Sequence, residues 1–369
     1  MANRFWVGGT ANWDTTAGTK WAATSGGAGG QAVPTISDNV FFDANSGANT
    51  ITVTTNPFVL SMNFTGFTGT FAGSSDMFIH GSLTLVSAMT FAYTGNLNFS
   101  HTSGVAILTT AGKAIKASFT GIGGTTQLAD DLTFLATLGL NLTGGTFNAN
   151  GKNVTGSSLS SAGSNVREIN MGSGVWTLTG QNSMSISGTN LTLNADTSTL
   201  IIQGNLTADR TFNFGSKTYN NVWFSNASSF YRTITGSNTF NDFKLSPGLK
   251  IRFTAGTTQT VTTFTAVGTP GNLIIIDSDT TGTHTLSKAN GIVNSDYLNI
   301  QHSIATGGAI WVAGGNSINN QNIAIAGSGW IWWSNQTKNP SSFSNQSKNV
   351  STFTTLIKNT SAWTNLTKT

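Results

Sequence analysis

Cysteine is absent from the 369 residues, and glutamate occurs once, at Glu168. Charged side chains make up 8% of the chain, against about 25% in an ordinary soluble domain. The missing thiols exclude a disulfide scaffold, a thiolate metal site and a cysteine nucleophile. The missing charge excludes a coiled coil or helical bundle, which needs Ala, Glu, Lys, Leu and Arg at about half of its positions. No apolar run approaches 18 residues, so a membrane-spanning helix is not expected. A charge-rich disordered chain is excluded as well, because 38% of residues are apolar and 23 are Phe.

What fills the chain is glycine, 43 residues of it, together with Thr, Ser and Asn. From about Ile51 to Ile325 one local pattern recurs, a short alternating segment followed by a Gly or Asn break. Ser82-Leu-Thr-Leu-Val, Asn96-Leu-Asn-Phe-Ser, Val175-Trp-Thr-Leu-Thr and Asn190-Leu-Thr-Leu-Asn are examples. Apolar residues at every second position give a strand with one face inward and one outward. Many short strands without a shared exact period favour a solenoid over a sandwich or barrel. The expected fold is all-β, a right-handed parallel β-helix with ladders of Asn and Thr between coils. At roughly 20–25 residues per coil it has about 12 coils. Residues 1–50 are expected to form an N-terminal cap, 51–329 the solenoid and 330–369 a C-terminal arm. Trp6, Trp13 and Trp21 near one end, and Trp311, Trp330, Trp332 and Trp333 near the other, are expected to plug the open coils. Stacking on sugars is the other use for such faces.

The clearest repeat begins at Trp333 and has a period of ten. Aromatics fall at Trp333, Phe343, Phe353 and Trp363, and lysines at Lys338, Lys348, Lys358 and Lys368. In an extended chain an even period puts the aromatics on one face, and an odd offset puts the lysines on the other. A single strand cannot bury that aromatic face by itself. These eight residues are therefore the candidate partner-binding set, with the segment as a docking arm or an oligomerising stalk.

The net charge of +4 belongs to this segment. After Trp333 there are four Lys and no acid, which leaves 13 Lys and Arg against 13 Asp and Glu in the remainder. One lysine every ten residues is too thin a footprint for nucleic acid. No apolar signal-peptide core follows Arg4, so folding in a cytoplasm is expected. His80, His101, His284 and His302 lie in no metal-ligand spacing, and neither metal nor cofactor is expected. The carboxylate pairs open to acid–base chemistry are Asp130 with Asp131 and Asp277 with Asp279. Both also read as strand-end turns, and the second could hold a cation. The expectation is that the protein is not an enzyme.

The opening Arg4-Phe-Trp-Val-Gly-Gly-Thr-Ala-Asn-Trp, Asp38-Asn-Val-Phe-Phe-Asp-Ala-Asn-Ser-Gly, Phe253-Thr-Ala-Gly-Thr-Thr-Gln-Thr-Val and Gly329-Trp-Ile-Trp resemble tailed-phage virion proteins of the pectin-lyase-like or β-solenoid type. The likeness covers most of residues 4–333. Asn335-Gln-Thr-Lys and Asn345-Gln-Ser-Lys are similar to the Trp-Thr-Asn-Gln-Ser-Lys repeats that end various phage structural proteins, and Thr354-Thr-Leu-Ile-Lys departs from them. The resemblance implies a structural or attachment role on the virion surface, as capsid decoration or fibre component, after assembly in the host cytoplasm. Its partners would be other virion proteins and copies of itself. The alternative expectation is a tailspike or adhesin that binds or cleaves host surface polysaccharide.

Overall fold

A computed structural model of the chain describes residues 1–319 and 329–332. It is all-β, 48% strand and 1% helix, and forms a parallel β-solenoid of about 14 turns. At ~4.8 Å per turn the stack is on the order of 65 Å long.

Through the first part of the solenoid each turn contributes three short strands, one to each face. Asn39–Phe41, Thr50–Val53 and Phe58–Val59 make one such turn. The next, Ser61–Asn63, Thr70–Gly73 and Met77–Ile79, pairs with it in parallel on every face. Register is held face by face while the loops vary in length. Ala106 lies beside Thr126, 20 positions on, whereas Leu83 lies beside Leu108, 25 positions on. That variation is why the sequence shows recurrence without a fixed period.

Alternation within each strand sends Val, Ile, Leu, Met and Phe into one continuous core running along the stack. The outward positions carry the Thr, Ser and Asn, and they form ladders. Gln127, Asn148, Asn170 and Asn194 occupy one register line. Asn194 Nδ2 donates to Asn170 Oδ1 at 2.6 Å, and Asn148 Nδ2 donates to Gln127 Oε1 at 3.3 Å.

Both ends of the stack are aromatic. Trp21–Ala22 runs antiparallel along the outer edge of Asn3–Trp6 and covers what would be an open strand edge. Trp6, Trp13 and Trp21 surround Phe42 with ring centroids 5.9–6.1 Å away, and all four are fully buried. At the other end Trp311 and Trp330 share a register position on adjacent strands, 5.2 Å apart. Asn3–Trp6 and Ala11–Trp13 already pair in parallel with the following turn, and Trp330–Trp332 pairs with Ile310–Ala313.

The cross-section changes along the stack. The first face ends at Leu191–Asn194. The strands that follow are long, Thr218–Phe224, Thr239–Leu245 and Thr258–Ala266. Each slips its in–out alternation once, with two outward residues in succession at Asn220-Asn221, Asn241-Asp242 and Thr262-Thr263. The register skips Asn220, Asn241 and Thr262 and resumes at the next residue, so each strand bends around a corner while keeping the same neighbour. Three strands per turn then return with His284–Ser287, Ile292–Ser295 and Leu298–Ile300.

Candidate functional site

The eight residues expected to bind a partner, Trp333, Lys338, Phe343, Lys348, Phe353, Lys358, Trp363 and Lys368, lie outside the described residues. Of the tryptophans expected at the ends, Trp6, Trp13, Trp21, Trp311, Trp330 and Trp332 are found at the ends of the stack, and all but Trp332 are buried, so those faces are not presented to a sugar.

The carboxylates that suggested acid–base chemistry are occupied in holding coils together. Asp130 accepts the backbone N–H of Thr110 at 2.8 Å and of Ala111 at 2.6 Å, one coil back. Asp131 accepts from the backbone and side-chain amides of Asn153, one coil on. Asp279 is exposed and accepts from Ala255 N at 2.9 Å. Asp277, two residues earlier, is buried and takes a different partner, His302 Nδ1 at 2.9 Å. The shared face expected for Asp277 and Asp279 does not form, because Asp277 and Ser278 turn inward in succession. Asp38, Asp209 and Asp296 repeat the theme by accepting from backbone amides of Ala2, Tyr231 and Asn316. Where coils of unequal length stack, their turns leave N–H groups out of register, and a carboxylate is a strong acceptor for them.

The histidines also stay apart. His80 meets Ser100 on the outside, whereas His101 faces inward. His284 is fully buried against Phe253, with ring centroids 4.8 Å apart, and neither ring nitrogen has a partner. Burial, with a smaller contribution from His302, pushes its imidazole down to about 3. Among the described residues no group of three His, Cys, Asp or Glu converges as a metal site would require.

What the fold does assemble is a polar groove that no motif in the chain announces. The groove follows the corner between the second and third faces and has a volume of about 860 Å³. Five successive coils line it, through Thr137, Ser157 and Ser158, Thr179 to Asn182, Gln203 and Asn205, and Asn226. Glycines set its floor. A Cβ on Gly204 would lie 2.0 Å from the carbonyl oxygen of Gly180, so two backbones approach there as no other residue allows. A second recess of about 300 Å³ shares Thr137 and Ser158 and carries the surface on to Lys116 and Asn96. Seven coils at ~4.8 Å make the whole surface on the order of 30 Å long.

Arg210 is the one ionisable side chain lining the larger recess among the described residues. Its Nη2 donates to Gln181 Oε1 at 3.2 Å, and its buried Nε has no partner. Arg232 occupies the same register position one coil on. It is fully buried and donates from Nη2 to Gly204 O at 2.9 Å, while its Nε and Nη1 are unpaired. Burial lowers its guanidinium to about 10, which leaves it charged at neutral pH. The contrast is Arg167, equally buried, which spreads its N–H groups over Asn165, Ser161, Ser187, Gly163 and Thr189.

Comparison with protein-family models, with curated proteins and with solved structures returns no match.

Proposed function

We propose that this chain is a non-enzymatic structural protein of a tailed-phage virion surface, a capsid decoration or fibre component fastened through its C-terminal decapeptide repeats. The observation that carries this reading is how the carboxylates are used. Asp38, Asp130, Asp131, Asp209, Asp279 and Asp296 each accept from a backbone amide on a neighbouring coil. A chain that invests its few acids in coil-to-coil ties is built for a rigid stack rather than for turnover. The resemblance of residues 4–333 to virion solenoid proteins and the repeats after Trp333 point the same way. On this reading Trp333, Phe343, Phe353 and Trp363 supply apolar anchors, and the four lysines meet an acidic surface on another virion protein or on a second copy. The test is deletion of residues 334–369. The truncated protein should keep its β-sheet circular dichroism and fail to enter particles. Truncated protein that still decorates virions would sink the anchoring role.

A second reading, a tailspike or adhesin that contacts host polysaccharide, draws support from the groove. Its lining favours binding over cleavage. Glycoside hydrolysis uses two carboxyl groups about 5–9.5 Å apart, and among the described residues no Asp or Glu lines either recess.

A further inference from the structure

We propose that the groove is a binding site for an acidic oligosaccharide, with an acid group of the ligand seated against Arg210. The proposal rests on the reading of the groove as a binding surface and does not depend on where the protein resides.

Charge is the first argument. Arg210 and Arg232 hold the same position on adjacent strands, and neither has a carboxylate within ion-pair distance among the described residues. The nearest acid in sequence, Asp209, is already taken by Arg252 at 3.3 Å and by Tyr231 N at 2.9 Å. Stacked guanidinium groups repel each other, and burial makes the repulsion larger. A guanidinium whose N–H groups are left unpaired is a costly arrangement, and Arg167 shows that this fold satisfies a buried arginine where it needs one only for structure. An anion in the groove would meet the Nη edge of Arg210, which lines the recess, and would offset the repulsion within the pair. A guanidinium fork matches a carboxylate in two parallel hydrogen bonds.

The second argument is the lining. Gln181 turns its oxygen to Thr207 and Arg210, accepting from Thr207 Oγ1 at 2.9 Å, which leaves its NH2 group to face a ligand. Asn182 and Asn205 are exposed beside it. Serine and threonine hydroxyls continue the surface to Lys116, a second cation at the far end. Amides and hydroxyls in a row, with cations at two well-separated points, match a chain of hydroxyl-bearing rings with spaced acid groups. A compact anion such as phosphate would use one point of this surface and leave the rest idle.

The experiment is calorimetric titration of the full-length protein with three probes of equal length: tetragalacturonate, a sulfated heparin tetrasaccharide and neutral maltotetraose. The expected result is at least tenfold tighter binding of an acidic probe than of the neutral one, weakening as salt rises. Arg210→Gln should abolish the difference. Arg210→Lys keeps the charge, loses the fork and should retain part of it, with melting temperature showing that both variants fold. Preference for the sulfated probe supports the acid site and assigns it to sulfated sugars. Equal affinity for acidic and neutral probes overturns the anion assignment and leaves a neutral glycan surface. No binding of any probe at millimolar concentration overturns the groove as a glycan site altogether.

Discussion

Nδ1 of His302 lies 2.9 Å from Oδ1 of Asp277, tying together two residues that are 25 positions apart in sequence. The same Oδ1 accepts from Ser278 N at 2.8 Å, so the carboxylate fixes a turn on its own coil and a ring on another. Asp277→Asn should lower stability by about 1–2 kcal/mol, the worth of a partly buried polar contact, and should leave oligosaccharide binding in the groove unchanged. Thermal melting and calorimetry on the same sample check both halves. A variant of full stability and altered ligand behaviour would show the pair to be functional instead.

Acid should weaken the solenoid well above the pH at which carboxylates protonate. His284 has an ordinary imidazole value of 6.5 when unfolded and about 3 when folded. Above pH 6.5 both states are neutral and the group costs nothing. As pH falls below 6.5 the unfolded chain takes up a proton that the folded chain cannot. Stability then drops by about 1.4 kcal/mol per pH unit until the folded value is reached. Burial moves His80 and His101 in the same direction. Melting temperatures recorded from pH 8 down to pH 4 should fall steadily. His284→Leu should flatten the profile, since neither ring nitrogen has a partner to lose.

Removing an end tryptophan should unravel the stack locally. Trp13→Ala costs about 3–5 kcal/mol as a large-to-small core change. In a solenoid each coil rests only on its neighbours, so the loss should appear as faster hydrogen exchange in the first coils, with the coils around Phe243 still protected. Trp176→Ala removes an equally buried ring from the middle of the stack. Exchange there should rise on both sides of the substitution. Uniform loss of protection in either variant would contradict the coil-by-coil picture.

The groove floor is intolerant of a single methyl group. Gly204→Ala would place a Cβ 2.0 Å from Gly180 O, and overlap of that kind costs about 1–3 kcal/mol or more. Gly104→Ala meets nothing within 4 Å and carries only the strain of its φ of 71°. Of the two, Gly204→Ala should lose more in melting temperature and should also weaken oligosaccharide binding. Equal losses would mean that the coils can move apart at the corner.

Much of this architecture was legible in the residues. Alternation of apolar and Thr or Asn positions determined strands with one inward face, and the scattering of Gly and Asn breaks determined many short ones. The tryptophans clustered at the two ends announced the plugs, because an open coil exposes apolar rings that nothing else covers. Local sequence could not decide which residues sit next to one another across coils. Loops of unequal length set that register, as the 20 positions from Ala106 to Thr126 and the 25 from Leu83 to Leu108 show. Asp277 and Asp279 share a face by period alone, and an inward turn at Ser278 separates them. Arg210 and Arg232 look unrelated in sequence, and stacking puts them one above the other at the edge of a groove. The sequence determines the strand, which is a local balance of burial and turn chemistry. Tertiary structure alone decides the site, because coil stacking creates neighbours that no spacing in the chain records.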